Sequence, residues 1–144
     1  MKQVFVEWRR IVNLEQAILI NRDDAQAYKE KGMAYFQLGK YEQALEDLNQ
    51  AIVLEADDAE YYYCRTLIYQ KLNDYKRAIV NSEKAIELKS DYAQAYHLLG
   101  LSYYKLEKYQ EAIINYQKAL NLNPNYLIAQ EDLNIATVTI ENIS

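Results

Sequence analysis

Shifting the sequence against itself by 34 positions brings the same residue types together again and again. Ala25, Ala59 and Ala93 coincide, as do Tyr28, Tyr62 and Tyr96. Tyr35, Tyr69 and Tyr103 follow, then Tyr41, Tyr75 and Tyr109, Ala44, Ala78 and Ala112, Ala51, Ala85 and Ala119, and Leu54, Leu88 and Leu122. Self-similarity at this period implies a stack of supersecondary units that bury their apolar faces only against one another. The units run over 25–58, 59–92 and 93–126.

Within a unit the spacing is helical. Tyr96, Leu99, Gly100 and Tyr103 fall at three- and four-residue steps, which predicts a helix over about 93–106. After a break at Glu107–Lys108, Tyr109, Ala112, Ile113, Tyr116 and Ala119 predict a second helix to about Leu122, ended by Asn123-Pro124. The other units repeat the plan. Scarce glycine (3) and proline (1) favour helices joined by short turns over a β-sandwich. Residues 4–21 carry Leu14, Ala17 and Ile20 where a second helix would place them, so they read as a half repeat at the front. Residues 127–141 read as a closing helix with Ala129, Leu133, Ala136 and Ile140 on one stripe. The expected fold is an all-α, right-handed α-solenoid of antiparallel helix pairs forming one domain.

The motif residues resemble the tetratricopeptide repeat family, whose pattern is a large aromatic, leucine-glycine, tyrosine, alanine, aromatic and proline at fixed spacing. The third unit matches as Tyr96, Leu99, Gly100, Tyr103, Ala112, Tyr116 and Pro124. The first keeps Tyr28, Gly32, Tyr35 and Ala44, with Lys31, Leu48 and Ala56 at other positions. The second departs furthest, with Arg65, Thr66, Ser82 and Ser90. The resemblance covers 102 of 144 residues and is specific for fold; it implies protein–protein recognition without naming a partner.

Fifteen tyrosines are unusual for this length. Nine of them recur with the repeat, which assigns them to interhelix packing, with the hydroxyl reaching a rim or a backbone partner. A second face of each first helix then becomes informative. It carries Gln26, Lys29, Met33 and Phe36, then Glu60, Tyr63, Leu67 and Gln70, then Gln94, His97, Leu101 and Tyr104, and Ile128, Glu131, Ile135 and Val138 on the closing helix. The resemblance places these positions in a concave groove, and the tyrosines already supply the packing stripe, so the apolar members are surplus. The expected partner-binding residues are Lys29, Met33, Phe36, Tyr63, Leu67, Gln70, His97, Leu101, Tyr104 and Ile135. The alternative is that they face one another across a tight superhelix.

Some relatives hold chaperone C-terminal carboxylates with two lysines, two asparagines and an arginine. The matching positions here are Lys29, Met33, Cys64, Gln94 and Leu98, and only Lys29 has the required type. A carboxylate needs convergent charged donors, so the sequence argues against a heat-shock chaperone tail as ligand.

The remaining classes are set aside on composition and spacing. Net charge is −5 with no basic stripe, which argues against nucleic acid and against a polybasic membrane patch. No uncharged stretch is long enough to span a bilayer, and the opening residues do not read as a signal peptide, so a cytoplasmic location is expected. One cysteine and one histidine cannot make a structural zinc site, and no glycine-rich phosphate loop occurs, so neither metal nor cofactor is expected. Catalysis could rest only on Cys64 with His97, oriented by Glu60, and a lone helical cysteine is ordinarily a small apolar packer. The reading is a non-catalytic interaction scaffold, with self-association through the groove or through Ile128, Ile135 and Val138 as its alternative.

Overall fold

Alanine at every second-helix contact position is what lets the units stack. Ala44, Ala51, Ala78, Ala85, Ala112 and Ala119 are all completely buried in a computed structural model that describes residues 1–144. The chain forms α1 (Lys2–Ile20), α2 (Ala25–Gln37), α3 (Tyr41–Leu54), α4 (Ala59–Lys71), α5 (Tyr75–Leu88), α6 (Ala93–Lys105), α7 (Tyr109–Leu122) and α8 (Leu127–Ile143), with no strand. Each helix packs on its chain neighbours. The first helices α2, α4, α6 and α8 also touch in sequence, so they form one wall of the solenoid.

The closest approach within a unit is set by one residue pair. A Cβ on Gly32 would overlap Leu48, and one on Gly100 would lie 2.6 Å from the ring of Tyr116. The middle unit makes this contact with different residues. Thr66 stands at the glycine position, and Ser82 stands where Leu48 and Tyr116 stand; both are fully buried, with their hydroxyls 3.4 Å apart. The departure of this unit from the family pattern is therefore a compensated exchange of volume, the kind a close-packed interior tolerates.

The turns between the paired helices share one geometry. Gly39, Asn73 and Glu107 have φ of 72°, 57° and 61°. The amides of Lys40, Asp74 and Lys108 donate to the carbonyls of Tyr35, Tyr69 and Tyr103, each at 2.9 Å. The amides of Gly39, Asn73 and Glu107 donate to Phe36, Gln70 and Tyr104. This pair of bonds closes a helix by a Schellman motif, which wants a left-handed residue after the cap. At the starts of α2, α4 and α5 the side chains of Asp24, Asp58 and Asp74 accept from the backbone of Ala27, Glu60 and Arg77.

The recurring tyrosines lie less deep than the repeat alone suggests. Of the nine, only Tyr62 is buried, and the fully buried pair is Tyr61 and Tyr116. The others rest half-buried at the seams. The basic groups of Lys31, Arg65 and Lys118 lie over the rings of Tyr28, Tyr62 and Tyr96, and Arg77 over Tyr69. Cations on the faces of Tyr28, Tyr69 and Tyr96 mark those half-buried phenols as rim residues. The core proper is alanine rows with Leu48, Ile68, Tyr61 and Tyr116.

The outer ends differ from the inner seams. α1 begins at Lys2, two residues before the expected start, and α8 runs to Ile143. Arg10 occupies on α1 the position of the buried alanines Ala44, Ala78 and Ala112. Asn134 occupies on α8 the position of Gly32 and Gly100, is exposed, and accepts from Gln130 Nε2 at 3.1 Å.

A polar row also crosses the units. Lys31 Nζ lies 3.1 Å from Asp47 Oδ1, and Arg65 Nε donates to Asn81 Oδ1 at 2.7 Å. In the third unit Leu99 replaces the cation, and Asn115 turns back to donate to the Glu111 carbonyl. Asp47 is buried and its Oδ2 has no partner. Burial pushes its carboxyl up to about 6, with Lys31 opposing the shift.

Two predictions follow from these local geometries. Glu107 carries the left-handed strain that glycine avoids, so Glu107→Gly should stabilise the chain by about 1 kcal/mol, a rise of roughly 2–4 °C in a thermal melt. A Tm equal to or below that of the parent would refute strain at this turn. Asp47 has a folded pKa above its ordinary value of 3.8, so the protonated acid is the form the fold prefers. Its contribution is present below about pH 4 and lost as pH rises through about 6. The Tm of Asp47→Asn minus that of the parent should therefore increase between pH 4 and pH 7; a difference independent of pH would contradict the shift.

Candidate functional site

The wall of first helices is laced by polar side chains that each reach one helix further along. From α2, Lys29 Nζ meets Glu60 Oε1 of α4 at 3.2 Å. From α4, Gln70 Nε2 donates to the Leu98 carbonyl of α6 at 2.8 Å and to Ser102 Oγ at 3.0 Å. From α6, Tyr104 Oη lies 3.2 Å from Thr139 Oγ1 of α8. These contacts fix the curvature of the wall, because each ties a side chain to a particular turn of the next helix.

His97 belongs to this lacing and not to an open surface. It is 5 % exposed, against the expectation that it lines the groove. Its Nε2 lies 2.6 Å from Asp132 Oδ2 on α8, and its Nδ1 lies 3.2 Å from the Tyr126 hydroxyl just before α8. With the proton on Nε2, the ring donates to Asp132 and accepts from Tyr126, so both nitrogens are satisfied. The rings of Tyr116 and Tyr126 flank it at 5.8 and 5.1 Å. Its position on the first-helix face was legible from the repeat. Asp132 one position beyond the equivalent residue of the next unit was not, because nothing in the repeat pairs different positions.

The remaining expected groove residues divide by depth. Met33, Phe36 and Tyr63 are half-buried against the core shared by the first two units, and Leu101 and Tyr104 against that of the third. Phe36 and Tyr104 turn toward the aromatic rings that open the following helices, Tyr41 at 5.6 Å and Tyr109 at 5.2 Å. Tyr63 stacks at 5.1 Å on Tyr92. Leu67 is partly exposed. On α8 the same face opens fully, where Ile128, Ile135 and Val138 are each more than half exposed. The apolar surface of the wall is thus graded, shallow over α2–α6 and most open at α8.

The two edges of the wall carry opposite charge. The loops leading into the first helices hold Asp23 and Asp24, then Glu55, Asp57 and Asp58, then Asp91. Glu55, Asp57, Asp58 and Glu60 line an open depression with Lys89 and Tyr92. The opposite edge, where the first helices end and turn, holds Lys40, Lys71, Lys105 and Lys108 beside Asp74 and Glu107, and is basic on balance. Part of the acidic edge is explained by capping, since carboxylates favour helix N-termini. Asp23, Asp57 and Asp91 recur at the 34-residue period, as do Asp24 and Asp58, so this edge is legible in the repeat itself.

Cys64 and His97 offer no activated nucleophile. Cys64 is buried, and burial first, then the charge of Glu60, pushes its thiol up to about 12. A reactive cysteine needs the opposite shift. Both nitrogens of His97 are already engaged, by Asp132 and Tyr126. No group of three or more metal-ligating side chains comes together in the structure, and no helix is long and apolar enough to cross a membrane.

Comparison with known proteins places the chain. Among solved structures, it is similar to MamA at 25 % identity, with a TM-score of 0.84, covering 91 % of this chain and 77 % of that one. It is similar to the first TPR of Spaghetti (RPAP3) bound to the HSP90 peptide SRMEEVD, at 27 % identity and a TM-score of 0.80, covering 81 % and 93 %. It is also similar to the second TPR domain of human RPAP3 in complex with the HSP70 peptide SGPTIEEVD, at 28 % identity and a TM-score of 0.75, covering 78 % and 94 %. No curated protein sequence matches it. The family models described as TPR repeat match residues 32–73 and 67–107, and the one described as Tetratricopeptide repeat matches 93–126. With these matches spanning most of the chain over the helix pairs described above, the protein belongs to the tetratricopeptide repeat family and is a protein-interaction scaffold.

Proposed function

We propose that the wall of first helices is the binding surface and that it takes an apolar segment of another protein without acting on it chemically. The observation that carries this reading is the graded apolar track from Met33 and Phe36 through Leu67 and Leu101 to Ile135 and Val138. Its open end on α8 has no packing partner. Lys29, Tyr63, Gln70 and Tyr104 border the track, while His97 supports it from beneath. The ligand is an amphipathic helix or an extended strand with apolar anchors. The opposed charges of the two edges set its orientation, favouring basic side chains along the loop edge and acidic ones along the turn edge.

Recognition of a chaperone tail is a poor match for these side chains, although two of the similar structures hold such peptides. Of the five positions that would form a carboxylate clamp, Cys64 and Leu98 are buried, and Met33 donates nothing. Lys29, the one cation, is half-buried beside Glu60. An anionic ligand would have to displace that carboxylate. Soluble, intracellular placement fits this reading, in which the partner is a cytoplasmic protein.

Two experiments test it. A peptide library displayed on phage and selected on the parent chain should yield sequences with apolar anchors. Ile135→Glu with Val138→Glu should weaken their binding at least about tenfold, since two charges would be desolvated against an apolar ligand. The same double variant should melt within about 0.5 kcal/mol of the parent, because both side chains are solvated. Undiminished binding in the folded variant would move the site off this face. Separately, the peptide SRMEEVD should show no saturable binding up to about 1 mM, that is, nothing stronger than about −4 kcal/mol. Salt-sensitive micromolar binding abolished by Lys29→Ala would overturn the rejection of the clamp.

A further inference from the structure

The most exposed apolar surface of the molecule lies on α1, away from the wall. Met1, Phe5, Trp8, Val12 and Leu19 are all exposed, with Phe5 and Leu19 each at 70 %. They follow one another at steps of four, three, four and seven residues, the seven being four and three with Glu15 at the intervening place. Val4, Val6 and Ile20 are exposed on other faces of the helix, but these five residues with Glu15 form a seam of 3.5-residue spacing, the pattern by which two helices pair lengthwise. The seam lies beside the face that α1 already uses, and Trp8 reaches across to Tyr35 of α2. Glu7 and Ile11 are buried, and Leu14 and Ile18 are partly buried, on the side that packs against α2. The seam is separate from the side with Arg10 and Asn13, where a preceding helix of the array would stack.

We propose that this seam is a self-association surface, and that two copies of the chain pair through their α1 helices in antiparallel orientation. Three observations identify the occupant as a second copy. The seam complements itself: in an antiparallel register with Trp8 opposite Val12 of the second copy, Val12 faces Trp8, Leu19 faces Met1, and Phe5 faces the aliphatic stem of Glu15. A two-fold contact of this kind uses the same patch twice. Charge selects the direction. Glu15 sits on the seam, and in a parallel pair it would face its own copy. In the antiparallel pair it lies within a turn of Lys2 and Arg9 of the second copy, which flank the seam on one side. Size is the third. Five exposed side chains on one helix fall well short of the roughly 20–30 residues per side of a standard interface, so the pair is weak and concentration-dependent. Trp8 anchors it. Within its own chain the indole is held by an edge-to-face contact with Tyr35 at 6.2 Å and by Lys40 at 5.7 Å, which presents it in one orientation.

The test uses the full chain. Sedimentation equilibrium from about 1 μM to about 500 μM should show a monomer passing into a dimer, a range set by the affinity of a small interface. Trp8 is the only tryptophan, so its emission should shift to shorter wavelength over the same range as the indole leaves water. Phe5→Glu with Val12→Glu should raise the dissociation constant at least about tenfold. Glu15→Leu, which completes the seam, should lower it. Glu15→Lys should weaken pairing, and adding Lys2→Glu and Arg9→Glu should restore it; a parallel pair would show no such rescue. A chain that stays monomeric throughout sinks the proposal. So does a dimer insensitive to Phe5→Glu with Val12→Glu, or one formed without a change in Trp8 emission. A dimer broken by Ile135→Glu with Val138→Glu instead would place self-association on the wall and overturn the assignment to α1.

Discussion

The approach of paired helices at Gly32, Thr66 and Gly100 is the constraint on which the rest depends. At each of these positions a helix backbone meets the side chain of Leu48, Ser82 or Tyr116 with no room for a larger sum of volumes. Because each pair brings its two helices into close contact, the units stack on one another, and the first helices fall into a continuous wall. The middle unit shows how the constraint works. Its sequence departs furthest from the family pattern, yet threonine against serine fills the space that glycine leaves for leucine or tyrosine. What recurs between units is a close contact at this place, reached with different residue types.

That distinction explains what could be read from the sequence. Helix bounds, the turn at Glu107 and the resemblance were legible because they depend on residues within one unit, repeated in register. Glu107 aligned with Gly39 and Asn73, and its left-handed backbone follows from that alignment alone. The depth of the tyrosines was not legible. Their recurrence established that each has a structural place, but not whether that place is core or rim. Lys31 and Arg65, above Tyr28 and Tyr62, share one position of the pattern, whereas Lys118 above Tyr96 comes from another position on the other helix of its unit. The partners of the site residues were hidden for a related reason. Lys29 to Glu60, Gln70 to Ser102, His97 to Asp132 and Tyr104 to Thr139 join unlike positions of successive helices. A self-alignment finds like with like and is blind to such pairs.

The lacing of the wall also decides what kind of binder this can be. A residue that fixes curvature is unavailable to a ligand, and His97, Gln70 and Lys29 are all occupied in this way. Polar recognition along α2–α6 therefore has few free donors, and binding strength has to come from apolar contact. Apolar contact is most accessible at α8, where Ile128, Ile135 and Val138 lie open. A surface of this kind tolerates varied sequences, since burial of apolar area is not directional. Specificity then rests on the opposed charges of its two edges, which penalise a ligand bound the wrong way round.

The two exposed apolar surfaces stand apart from each other. Surplus apolar surface is left on two separate faces, the seam of α1 and the open end of the wall. A seam that pairs with itself closes after two copies, since a two-fold contact consumes both of its surfaces. The walls of such a pair stay free, and a partner with two binding segments would meet the second wall at the effective concentration set by its own linker. Weak apolar contact at each wall would then suffice for firm attachment, which is the regime that a graded track with few free polar donors is built for.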